Sequence, residues 1–150
     1  MVKFRFPWNP FDPANPGPCI RFSVTRFFVE DIEAGREIGL EYPESPVPTA
    51  LIDTGSPFTI ISKTLAKTCN LTLTNPTFPI RTMNGDCNCE EFCGSISFPG
   101  SGLPHISITR ILARDFYKES AYSCIIGRNI LKRWNICFDG MNRLVTITVP

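Results

Sequence analysis

Between Cys19 and Phe28 the chain alternates. Ile20, Phe22 and Val24 are apolar, and Arg21, Ser23 and Thr25 between them are polar. A period of two is what a strand with one buried face requires, so this run predicts a β-strand. Residues 29–42 are expected to add a second strand, which Pro43, Pro46 and Pro48 then end. Ala50–Ile52 predicts a short buried strand, broken by Gly55 and Pro57. Phe58–Ile61 is another apolar run. Ser62 follows it and offers an N-cap to a short helix over Lys63–Thr68, with Leu65 and Ala66 facing inward.

Asn84-Gly85, inside Arg81–Asp86, is the strongest short-range signal for a hairpin. Ile96–Phe98 and Ile106–Leu112 read as further strands. Ser123–Ile126 reads as an apolar strand ended by Gly127, with helix formers over Ile130–Trp134. Asn135–Phe138, a turn at Asp139-Gly140 and an alternating Arg143–Val149 close the chain. Many short strands with one or two short helices predict an all-β, closed, barrel-like fold.

Composition narrows the function classes. A chain of 150 residues fits one domain. The first 18 residues, with five prolines at 7, 10, 13, 16 and 18, are expected to form an extended or poorly ordered arm, leaving residues 19–150 as the domain. The formal charge of +1 argues against a broad nucleic-acid or anionic-membrane surface. No apolar run approaches the ~20 residues of a transmembrane helix. The start MVKFRFPWNPFDP lacks the continuous apolar stretch of a secretory signal, so a cytoplasmic protein is expected.

Seven cysteines (19, 69, 87, 89, 93, 124 and 137) are an odd number, which suits free thiols better than a disulfide framework. Cys87, Cys89 and Cys93 cluster, with His105 downstream, but they lack the paired spacing of zinc modules, so no metal is expected. Asn70-Leu71-Thr72 matches a glycosylation sequon and reads, without secretion, as a surface turn.

The candidate chemistry lies in Ala50-Leu51-Ile52-Asp53-Thr54-Gly55-Ser56, where an apolar run leads straight into a carboxylate. An isolated charged carboxylate is costly to bury, so Asp53 must be neutralised, hydrogen-bonded or employed. Glycine at 55 lets the backbone turn tightly and brings a neighbouring amide to the acid.

Two apolar residues before Asp53-Thr54-Gly55-Ser56, followed downstream by Ile125-Ile126-Gly127-Arg128-Asn129-Ile130-Leu131, resemble the retropepsin-type aspartic proteases. These are the retroviral proteases and their bacterial and eukaryotic single-domain relatives. The hairpin signal at Asn84-Gly85 stands where that family places its flap, and Phe138-Asp139-Gly140 with Leu144–Ile147 resembles the ending of bacterial members. The resemblance covers roughly residues 19–150 and implies a barrel-like acid-protease fold. It makes Asp53 the catalytic acid, Thr54, Gly55 and Ser56 the active-site loop, and Met83, Asn84 and Gly85 the flap. Gly127, Arg128 and Asn129 become structural residues near the site. In the family the Thr hydroxyl bonds across to the partner loop.

Hydrolysing a peptide without a metal or covalent nucleophile takes one group to accept a proton from water and another to give one. Two adjacent carboxylates do both, since like charges so close share one proton. The chain has one Asp-Thr-Gly, and Asp139-Gly140 lacks its apolar lead and threonine. A C₂ homodimer acting on a protein or peptide, without a cofactor, follows from the enzyme reading.

Two positions depart from the retroviral pattern. Pro57 stands where those enzymes carry the aspartate that pairs with the arginine matching Arg128, so Arg128 needs another partner, a backbone carbonyl or an acid across the dimer. The flap tip lacks the viral glycines, and the Cys87–Cys93 segment is expected to lengthen it. Other chemistries find less support. His105 is the sole histidine and no cysteine stands in a nucleophile context, and no phosphate-binding glycine motif occurs. The rival reading is a catalytically silent protease-like module that dimerises or binds peptides.

Overall fold

A computed structural model describes residues 1–8, 17–39, 47–117 and 120–150. The alternating run from Cys19 forms two short strands, β2 (Cys19–Arg21) and β3 (Ser23–Thr25), parted at Phe22, whose amide donates to the Pro48 carbonyl at 3.1 Å. Ile20, Phe22 and Val24 all point into the core, as the period of two requires.

The next stretch differs from the expected strand. Val29–Glu37 is a helix, α1, and residues 40–42 lie outside the described residues. Its apolar positions Val29 and Ile32 are three apart, a helical spacing. Glu30 and Asp31 in the first turn and Arg36 in the last complement the helix dipole. The Ser107 hydroxyl anchors its start, accepting from the Val29 amide at 2.9 Å and donating to Glu30 at 3.1 Å.

The chain continues through β4 (Thr49–Ile52), β5 (Ile60–Ser62), α2 (Lys63–Thr68), β6 (Thr72–Thr82), β7 (Gly85–Ser97), β8 (Ile106–Arg114) and β9 (Cys124–Ile126). It ends with α3 (Arg128–Leu131), β10 (Asn135–Asp139) and β11 (Leu144–Val149). The α2 reading holds in detail: the Ser62 hydroxyl accepts from the Leu65 amide at 3.1 Å, and Leu65 and Ala66 are buried. α3 starts at Arg128, two residues before the expected helix formers.

Strand order explains the closure. The larger sheet runs β2-β4-β9-β5-β8-β7-β3, with β6 paired to β7. Its two end strands, β2 and β3, are neighbours in one stretch of chain, so Cys19–Thr25 bonds to both ends and curls the sheet into a barrel. The core inside it gathers Phe22, Ile61, Ile96, Ile111, Ile126 and Ile130, all fully buried.

The amino-terminal stretch is in part an ordered sheet strand. β1 (Val2–Pro7) pairs antiparallel along its whole length with β11, which pairs on its other side with β10. Val2, Phe4 and Phe6 alternate with exposed Lys3 and Arg5, the period of two that a half-buried strand needs. Phe6 enters the main core. Pro10, Pro13 and Pro16 lie outside the described residues. No helix of the described residues is long and apolar enough to cross a membrane.

Candidate active site

β4 and β9 run parallel, with Ile52 opposite Ile126. Their carboxyl ends therefore lie side by side, and the residues that follow them, Asp53 and Gly127, meet at one end of the sheet. The Asp53 amide continues the ladder, donating to the Ile126 carbonyl at 3.1 Å. β5, on the other side of β9, runs antiparallel to it and starts at this same end. The connection over residues 53–59 must therefore cross the end of β9. That crossing explains the glycine of Ile125-Ile126-Gly127: a Cβ there would overlap the Phe58 carbonyl and stand 2.9 Å from that of Ser56. Only glycine admits so close a backbone.

Within the loop the Gly55 amide donates to Asp53 Oδ1 at 2.8 Å, and the Ser56 amide to the Asp53 carbonyl at 3.3 Å. The Ser56 hydroxyl donates to the Phe58 carbonyl at 2.7 Å, which tightens the turn. Asp53 is half-buried, and Thr54 and Gly55 are exposed. The cost of burying a charge, so prominent in the sequence, is thus largely escaped in a single chain. The carboxylate sits at the strand's end with one oxygen held by an amide.

Arg128 braces the loop from behind. Its Nη1 donates to the carbonyls of Thr54 at 3.0 Å and Gly55 at 3.2 Å, and its amide donates to the Ser56 carbonyl at 2.8 Å. Backbone carbonyls thus supply the partners that Pro57 cannot. Beneath the loop lies Thr59, fully buried. Its hydroxyl donates to Asn129 Oδ1 at 2.8 Å and accepts from the Gly127 amide at 3.1 Å, and Asn129 Nδ2 donates to the Arg110 carbonyl at 3.3 Å. Thr59 and Arg110 are absent from the sequence reading. The one signal for Thr59 is a hydroxyl inside the apolar run Phe58–Ile61.

The structure brings Asp53–Ser56 together with Gly127–Asn129, and it holds Met83, Asn84 and Gly85 apart as a hairpin tip in solvent. The tip turns through Met83 and Asn84, with Gly85 taking φ +107°. The hairpin meets the loop at its base. There Phe78 of β6 packs edge-on against Phe58 with ring centroids 5.6 Å apart, and Arg110 lies over both rings, at 4.4 Å from Phe78 and 5.8 Å from Phe58. Glu91 of β7 pairs with Arg110 on that same side. His105 is exposed just before β8, and all seven cysteines are free thiols.

Among solved structures, a retropepsin-like aspartic protease from Rickettsia conorii matches at a TM-score of 0.58 and 13% identity, over 97% of this chain and 98% of that one. The chain has the retropepsin fold. An aspartic proteinase from Irpex lacteus matches this fold at a TM-score of 0.58 and 12% identity, over 99% of the present chain. The chain spans about half of that proteinase, 47% of its length. No protein-family model matches the sequence, and no curated protein matches it. The likeness to both structures is one of fold, at identities of only 13% and 12%.

Proposed function

We propose that this chain is one half of an aspartic endopeptidase, completed by a second copy of itself. The observation that carries the reading is the Asp53 loop. It holds a half-exposed carboxylate, one oxygen of which accepts from the Gly55 amide, and Arg128 and Gly127 fix it from behind. Such bracing preorganises an acid without neutralising it with a cation, because Arg128 spends its donors on carbonyls.

In the dimer the two Asp53 carboxylates lie side by side and share one proton. Aspartic proteases are the reference case of such a pair. The ionised carboxylate takes a proton from water as the water oxygen attacks the peptide carbonyl. The protonated one donates to the carbonyl oxygen, and a proton then passes to the leaving amine. Thr54, Gly55 and Ser56 keep the acid in place, and the hairpin ending in Met83, Asn84 and Gly85 closes over an extended substrate held through main-chain hydrogen bonds. Thr54, exposed on the loop, reaches across to the partner's loop. The match to about half of the Irpex proteinase supports the pairing, since one copy of this chain corresponds to half of that longer one.

Cleavage of a peptide library by wild type and by Asp53→Asn, with sedimentation to fix the oligomeric state, tests the proposal. Wild type is expected to sediment as a dimer and to cleave, and Asp53→Asn to dimerise without cleaving. Cleavage that survives Asp53→Asn overturns the mechanism. A dimer that binds peptides from acidic to neutral pH and cuts none identifies a silent binding module instead.

A further inference from the structure

We propose that Arg110 is a positioning residue. Its side chain clamps the base of the β6–β7 hairpin to the Asp53 loop and so sets the angle from which the hairpin closes. What the hairpin closes over rests on the protease reading above, whereas the clamp itself does not.

The hairpin bends at its base. Leu73 and Asn75 face the adjacent Phe92 and Glu91, and Asn75 and Phe78 face Glu91 and Cys89. β6 thus inserts one extra residue at Thr74 and a second within Pro76–Thr77. Extra residues bend the strand that carries them. β8 has a bulge of its own at the same level: Ile108 and Ile111, three positions apart, face Gly94 and Phe92, two apart. Arg110 lies in that bulge, and it and Thr109 are both exposed where a regular strand would alternate. Bulges re-aim side chains. From β8 the Arg110 side chain passes over β7 and reaches Phe78 on β6.

Three contacts converge on the guanidinium. Its Nε pairs with Glu91, and its carbon stands 4.4 Å from the Phe78 ring centroid and 5.8 Å from that of Phe58. Phe58 follows directly on the Asp53–Pro57 turn, and its carbonyl accepts from the Ser56 hydroxyl. Glu91 is itself held. Its side chain is 12% exposed, and the Thr74 hydroxyl, from the β6 bulge, shares its proton between Glu91 Oε1 at 3.0 Å and the Glu91 carbonyl at 3.1 Å. A carboxylate so far buried needs its cation, which keeps the guanidinium from swinging away. The backbone beneath is fixed as well, since the Arg110 carbonyl accepts from Asn129. One side chain therefore joins β6, β7, β8 and the site loop.

Arginine suits this task because its planar cation stacks on rings while it pairs with a carboxylate, whereas lysine is a point charge. With the clamp intact, the hairpin is preset and a bound peptide has little left to order. Without it, binding must order the hairpin, which weakens binding and leaves the step after closure unchanged. That separates the Arg110 side chain from Thr59 and Arg128, which support the acid itself.

The test is hydrogen exchange read by mass spectrometry, together with peptide cleavage kinetics, on wild type, Arg110→Gln, Arg110→Lys and Arg114→Gln. In Arg110→Gln the amides of residues 78–89 should exchange faster while those of β4 and β9 keep their wild-type rates. Its KM should rise about 10-fold with kcat nearly unchanged. Arg110→Lys keeps a cation for Glu91 and loses the stacking, so it should recover only part of both effects. Arg114→Gln, exposed at the end of the same strand, should change neither. Unchanged hairpin exchange in Arg110→Gln, acceleration spread evenly over the barrel, a fall in kcat at constant KM, or full rescue by lysine overturns the proposal. A wild type that cleaves nothing removes the protease reading, and loosening confined to the hairpin in Arg110→Gln then upholds the clamp on its own.

Discussion

Thr59 shows how much of the site rests on a side chain that never faces solvent. Its hydroxyl is both donor and acceptor, joining the Gly127 amide at the end of β9 to the Asn129 side chain on α3. Valine has nearly the same shape and neither function. Thr59→Val should leave a buried amide unpaired and cost about 1–3 kcal/mol, read as a lower midpoint in urea with an unchanged slope. The same substitution should lower turnover of any cleaved peptide, because Gly127 and Arg128 hold the Asp53 loop. Asn129 appears beside the site in the sequence reading only through family resemblance. The structure supplies its task, which is to tie Thr59 to the Arg110 backbone.

At the scale of elements, β1 is the addition with the clearest energetic content. Phe6 is 8% exposed and sits in the main core, with Phe4 stacked near it at 5.5 Å. Phe6→Ala should cost about 3–5 kcal/mol, whereas a residue in a loose arm would cost almost nothing. Denaturant unfolding decides between the two.

The β10–β11 turn carries a pH dependence. Asn142 donates to Asp139 through its side chain at 2.7 Å and its amide at 2.9 Å, which holds the Asp139 carboxyl below its ordinary value of 3.8. A depressed folded pKa means that this stabilisation is present above the ordinary value and is lost as pH falls through the lower, folded one. The melting temperature of Asp139→Ala should therefore fall short of wild type at neutral pH, and the gap should close in strong acid.

For the whole molecule, the proposed dimer makes activity a property of concentration. A single chain presents one Asp53 with an open side. The specific cleavage rate should thus fall on dilution below the dimerisation constant, and a mixture of wild type with Asp53→Asn should lose activity beyond simple dilution as mixed dimers form. A specific rate independent of concentration across the range where sedimentation sees monomers would contradict the shared-dyad mechanism.

Local patterns carried most of the strands, the capped helix α2, the hairpin and the pair of motifs around Asp53 and Gly127, because each depends on neighbours in sequence: alternation, a cap hydroxyl, a turn former. Helix α1 is not legible locally, and its stretch reads as a strand. Its polar residues bury little, and its start is anchored by Ser107, a residue far along the chain. The pairing of β1 is not legible locally either, since prolines dominate the stretch and its partner β11 is the last strand. What only the tertiary structure decided is the meeting of distant ends. Parallel pairing of β4 with β9 sets Asp53 beside Gly127, the loop crossing β9 explains why position 127 must be glycine, and backbone carbonyls take the place of the missing acid at Pro57. Short-range chemistry determines which residues can turn, cap or alternate. Strand order, which no local pattern encodes, determines which of them touch.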